Sequence, residues 1–70
     1  MSQTITFTIT GMTCDHCVHA VTNAVKETPG VADVTVSLEA KSAVVTGDQI
    51  DVAKIIAAVA EEGYEAAVAG

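Results

Sequence analysis

The chain begins with a strict alternation of apolar and polar residues. Over residues 3–10, Ile5, Phe7 and Ile9 occupy every second position, and threonines follow each of them. A period of two places the apolar side chains on one face of an extended segment, which is typical of a strand that buries that face. The alternation stops at Gly11. We therefore predict a first strand over residues 3–10, followed by a loop.

Helical spacing comes next along the chain. Val18, Val21 and Val25 recur three or four positions apart, so they form one apolar stripe if the segment is helical. We predict this first helix over residues 16–28. Pro29 ends it, because proline disfavours helical backbone in the residue before it. The candidates for its N-cap are Thr13 and Asp15.

The middle of the chain predicts a β-hairpin. Val34, Val36 and Leu38 alternate with polar residues and indicate a second strand. A polar turn over residues 39–42 separates it from a third strand over residues 43–46. Two strands joined by so short a turn are expected to pair antiparallel.

A second helix and a short strand complete the pattern. Asp51 is a favourable N-cap for this helix, and Gly63 is a favourable glycine for its C-terminus. Residues 64–69 are apolar and short enough for an edge strand. The buried stripe of the helix consists of Val52, Ile55, Ile56 and Val59.

The predicted order is strand, helix, strand, strand, helix, strand. It indicates the α+β class and a ferredoxin-like βαββαβ sandwich, a four-stranded antiparallel sheet with two helices on one face. We expect one domain spanning residues 1–70. In this topology the first strand-to-helix loop lies near the turn before the last strand. Tyr64 should therefore lie close to Cys14 and Cys17.

Composition and charge restrict the partners and the location. The chain carries a net charge of -6 with a pI near 4.4, and only 3% of its residues are aromatic. These values disfavour nucleic acid and favour a partner with a basic face. The sequence contains no apolar run long enough for a membrane span and no pattern typical of a secretory signal. We therefore expect no membrane insertion and a cytoplasmic location, where both thiols stay reduced.

The candidate chemistry lies in a C-x-x-C pair, Cys14 and Cys17, placed between the first strand and the first helix. Thiolates are soft donors that favour Cu(I) and also bind Zn(II), and a helix N-terminus stabilises a nearby thiolate. The same spacing also serves redox dithiols and halves of zinc sites. The pair alone leaves these alternatives open.

Three segments in register resemble the heavy-metal-associated domain family, and within it the small free-standing bacterial copper chaperones of the CopZ type. They are GMTCDHC over residues 11–17, PGV over residues 29–31 and EGYEA over residues 62–66. The resemblance implies a ferredoxin-like fold and Cu(I) held by Cys14 and Cys17. It also implies delivery of that Cu(I) to a metal-binding domain of a copper-exporting P-type ATPase.

The resemblance also bears on which metal is carried and on whether the chain stands alone. Relatives that select zinc, cadmium or lead often have an acidic residue before the first cysteine, whereas this chain has Thr13. That difference favours copper. The same segments also occur as metal-binding domains within the ATPases themselves, so an excised domain of such an ATPase is an alternative interpretation.

Four further residues near the cysteines have alternative roles. We expect Met12 to be a hydrophobic anchor beneath the loop rather than a thioether ligand. His16 can face solvent, donate to a cysteine sulfur, or act as a ligand in a copper-bridged homodimer. His19 is expected on the exposed face of the first helix. Tyr64 is either an ordinary residue at the start of a strand or a hydroxyl that shields the metal and hydrogen-bonds the thiolates.

We expect a binding protein rather than an enzyme. The sequence has no phosphate-binding glycine loop and no nucleophile triad. A thiol-disulfide oxidoreductase is the enzymatic alternative, but the order of elements is wrong for a thioredoxin-like fold and no aromatic residue precedes Cys14. A structural zinc site is disfavoured because no second pair of ligands lies elsewhere in the sequence.

Overall fold

A computed structural model describes residues 2–69 and confirms the predicted fold class. The elements are β1 (Gln3–Thr10), α1 (Asp15–Lys26), β2 (Val31–Ser37), β3 (Ser42–Gly47), α2 (Val52–Glu61) and β4 (Glu65–Val68). The four strands form one antiparallel sheet in the order β2-β3-β1-β4. The two central strands therefore come from different halves of the chain, as the ferredoxin-like topology requires.

The core lies between the sheet and the two helices. The alternation in β1 buries Phe7 and Ile9, while the threonines of this strand are partly or fully exposed. Each helix contributes a buried stripe at helical spacing. Its fully buried members are Val21 and Val25 in α1 and Ile55 and Val59 in α2.

The predicted bounds of α1 and β2 need correction, and so does the predicted N-cap of α1. Helix α1 begins at Asp15 and ends at Lys26, and its N-cap is Cys14 rather than Thr13 or Asp15. Strand β2 begins earlier than predicted, at Val31, and stops before Leu38. A register shift between Val31 and Asp33 interrupts the pairing of β2 with β3, and this irregularity breaks the alternation that the prediction relied on.

Helix α2 confirms the predicted cap. Asp51 adopts an extended backbone conformation, and its carboxylate Oδ1 accepts a hydrogen bond from the Lys54 amide at 3.3 Å. Gly63 follows the helix with a φ of +92° and allows the chain to turn into β4. Within residues 2–69, neither helix is long and apolar enough to cross a membrane.

Two glycines, Gly30 and Gly47, allow two backbone segments to approach closely at the end of the sheet where β1 begins. The Asp48 amide donates a hydrogen bond to the Gly30 carbonyl oxygen at 2.8 Å. A Cβ atom at Gly47 would overlap the same carbonyl oxygen. The close approach of these two backbone segments therefore requires a residue without a side chain at position 47.

Candidate metal centre

The metal loop, residues 11–14, joins β1 to α1 and starts from a backbone conformation that favours glycine. Strand β1 ends at Thr10, and Gly11 then adopts a φ of +105°, which side-chain-bearing residues rarely adopt. Met12 follows and is only 6% exposed, packed in the core cluster with the apolar residues of the sheet and helices. Met12 thus anchors the loop in the core, as expected, and residues 13–16 that follow it are exposed.

The start of α1 brings the two sulfurs together. Cys14 is the N-cap, with extended backbone angles, and its carbonyl oxygen accepts hydrogen bonds from the amides of Cys17 at 3.1 Å and Val18 at 3.4 Å. This single turn places Cys14 Sγ and Cys17 Sγ 3.7 Å apart. Both cysteines are free thiols. The spacing is short enough for one soft metal ion to reach both sulfurs.

The two thiols differ in exposure. Cys14 is exposed, whereas Cys17 is partly covered and packs against the core cluster. The Thr13 hydroxyl oxygen also lies 3.9 Å from Cys17 Sγ, within range of a weak hydrogen bond to sulfur. An approaching group therefore reaches the Cys14 sulfur before the Cys17 sulfur.

The pKa of Cys17 is lowered from the ordinary thiol value of 9.0 to about 6. The largest cause is a hydrogen bond from the backbone amide of Thr13, followed by a side-chain hydrogen bond from Tyr64. Partial burial opposes these effects, while the backbone and side chain of Cys14 lower the pKa further. Hydrogen bonds to the charged form stabilise a thiolate. Cys17 is therefore mostly deprotonated at neutral pH and ready to bind a metal.

Tyr64 is brought to the site, as the topology predicted. Its hydrogen bond with Cys17 raises the pKa of the phenol. The aromatic ring is half-buried and packs against the core cluster. A Cβ atom built at Gly11 would lie 3.2 Å from Cδ1 of this ring. Tyr64 thus contacts the beginning of the metal loop and also acts on one of its sulfurs.

The histidines do not join the two sulfurs. His16 and His19 are both exposed on α1, which agrees with a surface position for His19 and with the solvent-facing alternative for His16. Among residues 2–69, no group of three or more His, Cys, Asp or Glu side chains is arranged to hold a metal ion. The described part of the chain therefore offers a two-sulfur site.

Two contributions to the site have no counterpart in the sequence analysis. The Thr13 amide acts through the backbone, so the identity of the side chain gives no sign of it. The contact of Tyr64 with Gly11 depends on the pairing of β1 with β4, whose last pair is Thr10 with Glu65. The glycine in the GMTC segment is the only sequence signal that could have pointed to it.

The sequence profile described as the heavy-metal-associated domain matches residues 6–65, most of the chain and all of the site. The chain belongs to the heavy-metal-associated domain family. The resemblance inferred from the three sequence segments is thereby confirmed.

Relatives of this domain carry different metals. The chain is 41% identical over 69 residues to the mercuric transport protein periplasmic component of Pseudomonas aeruginosa, covering 96% of this chain and 76% of that protein. It is also 41% identical over 64 residues to the copper chaperone CopZ of Bacillus subtilis, covering 89% of this chain and 93% of that one. The CopZ match supports the similarity to CopZ-type chaperones, while membership of the family leaves the metal open.

Two further comparisons concern the fold and the context of the domain. The chain superposes on the oxidized MerP of Ralstonia metallidurans with a TM-score of 0.93 and 38% identity over the full length of both chains. It is 45% identical over 60 residues to copper-transporting ATPase 1 of Rhizobium meliloti, covering 84% of this chain but 7% of the ATPase. The same heavy-metal-associated unit therefore occurs in small proteins and within large transporters.

Proposed function

We propose that this chain is a cytoplasmic copper chaperone. In this proposal Cu(I) binds between the thiolates of Cys14 and Cys17 and passes by ligand exchange to a metal-binding domain of a copper-transporting P-type ATPase. The observation that carries the proposal is the pair of free sulfurs 3.7 Å apart at the start of α1. Two convergent thiolates with no third ligand suit a soft monovalent ion.

The chemistry of the site favours binding at neutral pH. A thiol must lose its proton before it binds a metal, and the lowered pKa of Cys17 removes most of that cost. Cys14 lies exposed beside it. The pair therefore combines one sulfur that is already a thiolate with another that incoming groups can reach.

The same geometry supports delivery rather than storage. An incoming thiolate can approach Cu(I) from the side of Cys14 and form a three-coordinate intermediate before one original sulfur leaves. No free metal ion is needed at any step. The cation is cargo in this scheme, and the protein returns to its original state without a catalysed reaction, so we propose a binding and transfer role.

The proposed partner follows from charge and from the relatives. A net charge of -6 attracts a basic surface over about one Debye length and repels other acidic ones. The match to CopZ and the match to a segment of copper-transporting ATPase 1 suggest that two units of this family exchange the metal. If this chain is itself a unit of such an ATPase, the exchange chemistry at Cys14 and Cys17 is the same.

The second candidate cargo is Hg(II). It is favoured by the mercuric transport relative, which is as similar to this chain as CopZ is. Hg(II) is also soft and binds two thiolates, so the sulfur pair does not distinguish the two ions. Two measurements separate the candidates. One is competition between Cu(I) and Hg(II) for the reduced protein, and the other is whether added copper or added mercury raises the cellular expression of this chain.

A direct transfer assay tests the proposed function. The Cu(I)-loaded chain is mixed anaerobically with the metal-binding domain of a copper-transporting ATPase from the same organism, and the copper content of each is measured after separation. We expect rapid redistribution, with no transfer to a matched acceptor whose two cysteines are replaced by serine. Copper that stays on this chain, or that moves equally to the acceptor without cysteines, would contradict the proposal.

A further inference from the structure

Gly11 and Tyr64 face each other just beyond the end of a strand ladder. Strands β1 and β4 pair antiparallel, and their last pair at this end is Thr10 with Glu65. One more step in the same register brings Gly11 opposite Tyr64. The two residues therefore form the junction between the metal loop and the turn that follows α2.

The ring of Tyr64 lies against the space that a side chain at position 11 would take. A Cβ atom built on Gly11 would lie 3.2 Å from Cδ1 of Tyr64 and 4.0 Å from its Cα. The shorter distance is tighter than ordinary van der Waals contact. With alanine at position 11, the ring would have to shift by a few tenths of an ångström.

Tyr64 is fixed from its own side as well. Its amide donates a hydrogen bond to the Val59 carbonyl oxygen at 3.3 Å, and the Gly63 amide donates one to that of Ala60 at 3.0 Å. The ring and the partly covered Cys17 both pack against the same core cluster. The ring thus lies against Gly11 at the start of β4, on the same core cluster as Cys17.

We infer that Gly11 is a positioning residue for the metal site: by leaving room for the Tyr64 ring, it holds the phenol beside Cys17 and keeps that sulfur covered. This inference deepens the proposed function and rests on it for its biological meaning. The side-chain hydrogen bond between Tyr64 and Cys17 agrees with this placement. The left-handed φ of Gly11 and its missing Cβ thereby have separate roles, one in the loop conformation and one in seating the ring.

D-Alanine at position 11 separates these two roles. A D-residue adopts positive φ without strain, and its Cβ points to the side opposite that of an L-residue. The chain is short enough for chemical synthesis, and the variants are compared in the reduced, metal-free state with Gly11→Ala. Cys17 is followed in a Cys14→Ser background at a pH above the pKa of a free thiol, so that protonation does not contribute to its reactivity.

The first readout is the nuclear Overhauser contact between the Tyr64 ring protons and Cys17. Tyr64 is the only tyrosine, and its assignment is unambiguous. We expect Gly11→Ala to weaken this contact and to alkylate faster at Cys17, while D-alanine keeps both the contact and the original rate. Equal behaviour of the L- and D-alanine variants would overturn the inference, because strain or general loosening of the loop would then explain the effect.

Tyr64→Ala supplies the second readout, which does not depend on whether Gly11→Ala folds. We expect Tyr64→Ala to raise the alkylation rate of Cys17, because the ring no longer covers that sulfur. An unchanged rate would overturn the inference. Both readouts use metal-free protein, so a negative result in Cu(I) transfer would count against the proposed function alone.

Discussion

Cys14 Sγ and Cys17 Sγ lie 3.7 Å apart, yet the two thiols have different surroundings. Cys14 is exposed, whereas Cys17 is partly covered and receives hydrogen bonds from Thr13 and Tyr64. The site is therefore asymmetric before any metal arrives. This asymmetry can be measured in the reduced apoprotein, without assuming which metal the protein carries.

We predict that one thiol titrates with a midpoint near pH 6 in the reduced, metal-free protein, because hydrogen bonds stabilise the Cys17 thiolate. Thiolate absorbance in the ultraviolet, followed as a function of pH, measures this step. It should be missing in Cys17→Ser and retained in Cys14→Ser. A low-pH step that disappears in Cys14→Ser instead would contradict the assignment.

The same shift predicts how stability depends on pH. The pKa of Cys17 is about 6 in the folded chain and near 9.0 when unfolded, so the folded state binds fewer protons between these values. The contribution of Cys17 to stability is therefore complete above pH 9.0 and is lost as the pH falls through 6. Urea unfolding of wild type and Cys17→Ser, both reduced, should show a stability difference that grows from pH 6 to 9. A difference that shrinks over this range would have the wrong sign.

Tyr64→Phe tests the hydroxyl apart from the ring. The variant keeps the contact with Gly11 and removes the hydrogen bond to Cys17, so the pKa of Cys17 should rise while remaining below its ordinary value. The Thr13 amide, which is the larger cause, is unaffected. We expect a folded protein with a modest change in Cu(I) affinity or transfer rate. An unchanged pKa together with unchanged affinity and transfer would remove the role of the hydroxyl.

The hydrophobic pattern was sufficient to predict the fold. Alternation in β1 and helical spacing in α2 both reflect the burial of one face, and burial is the main source of structural information in so small a chain. The pattern failed where the backbone is irregular. The shift between Val31 and Asp33 hides the start of β2, because two residues there oppose one on β3.

The candidate site was predictable only in part. The C-x-x-C spacing located Cys14 and Cys17, and the topology brought Tyr64 to them. The predicted N-cap was wrong because capping rules assume a side-chain oxygen, whereas Cys14 is the N-cap by its extended backbone angles and its side chain makes no capping hydrogen bond. The seating of the Tyr64 ring on Gly11 depends on strand register, which the sequence does not state.

Gly47 and Gly63 provide a matched pair for stability. A Cβ atom at position 47 would overlap the Gly30 carbonyl oxygen, whereas one at position 63 would meet nothing within 4 Å. Gly63→Ala should cost about 1 kcal/mol, from positive φ offset by the reduced entropy of the unfolded chain. Gly47→Ala should cost clearly more, because backbone atoms must separate. Denaturant unfolding measures both, and equal costs would show that the close approach to Gly30 is easily relaxed.

We propose that the two sulfurs form a Cu(I) site. The most direct test is anaerobic competition between the reduced protein and a strong Cu(I) chelator, compared with Cys14→Ser and Cys17→Ser and repeated in excess Zn(II). We predict tight, stoichiometric Cu(I) binding that zinc does not displace and that either substitution abolishes. Weak binding, or binding that survives the loss of either cysteine, would contradict the claim.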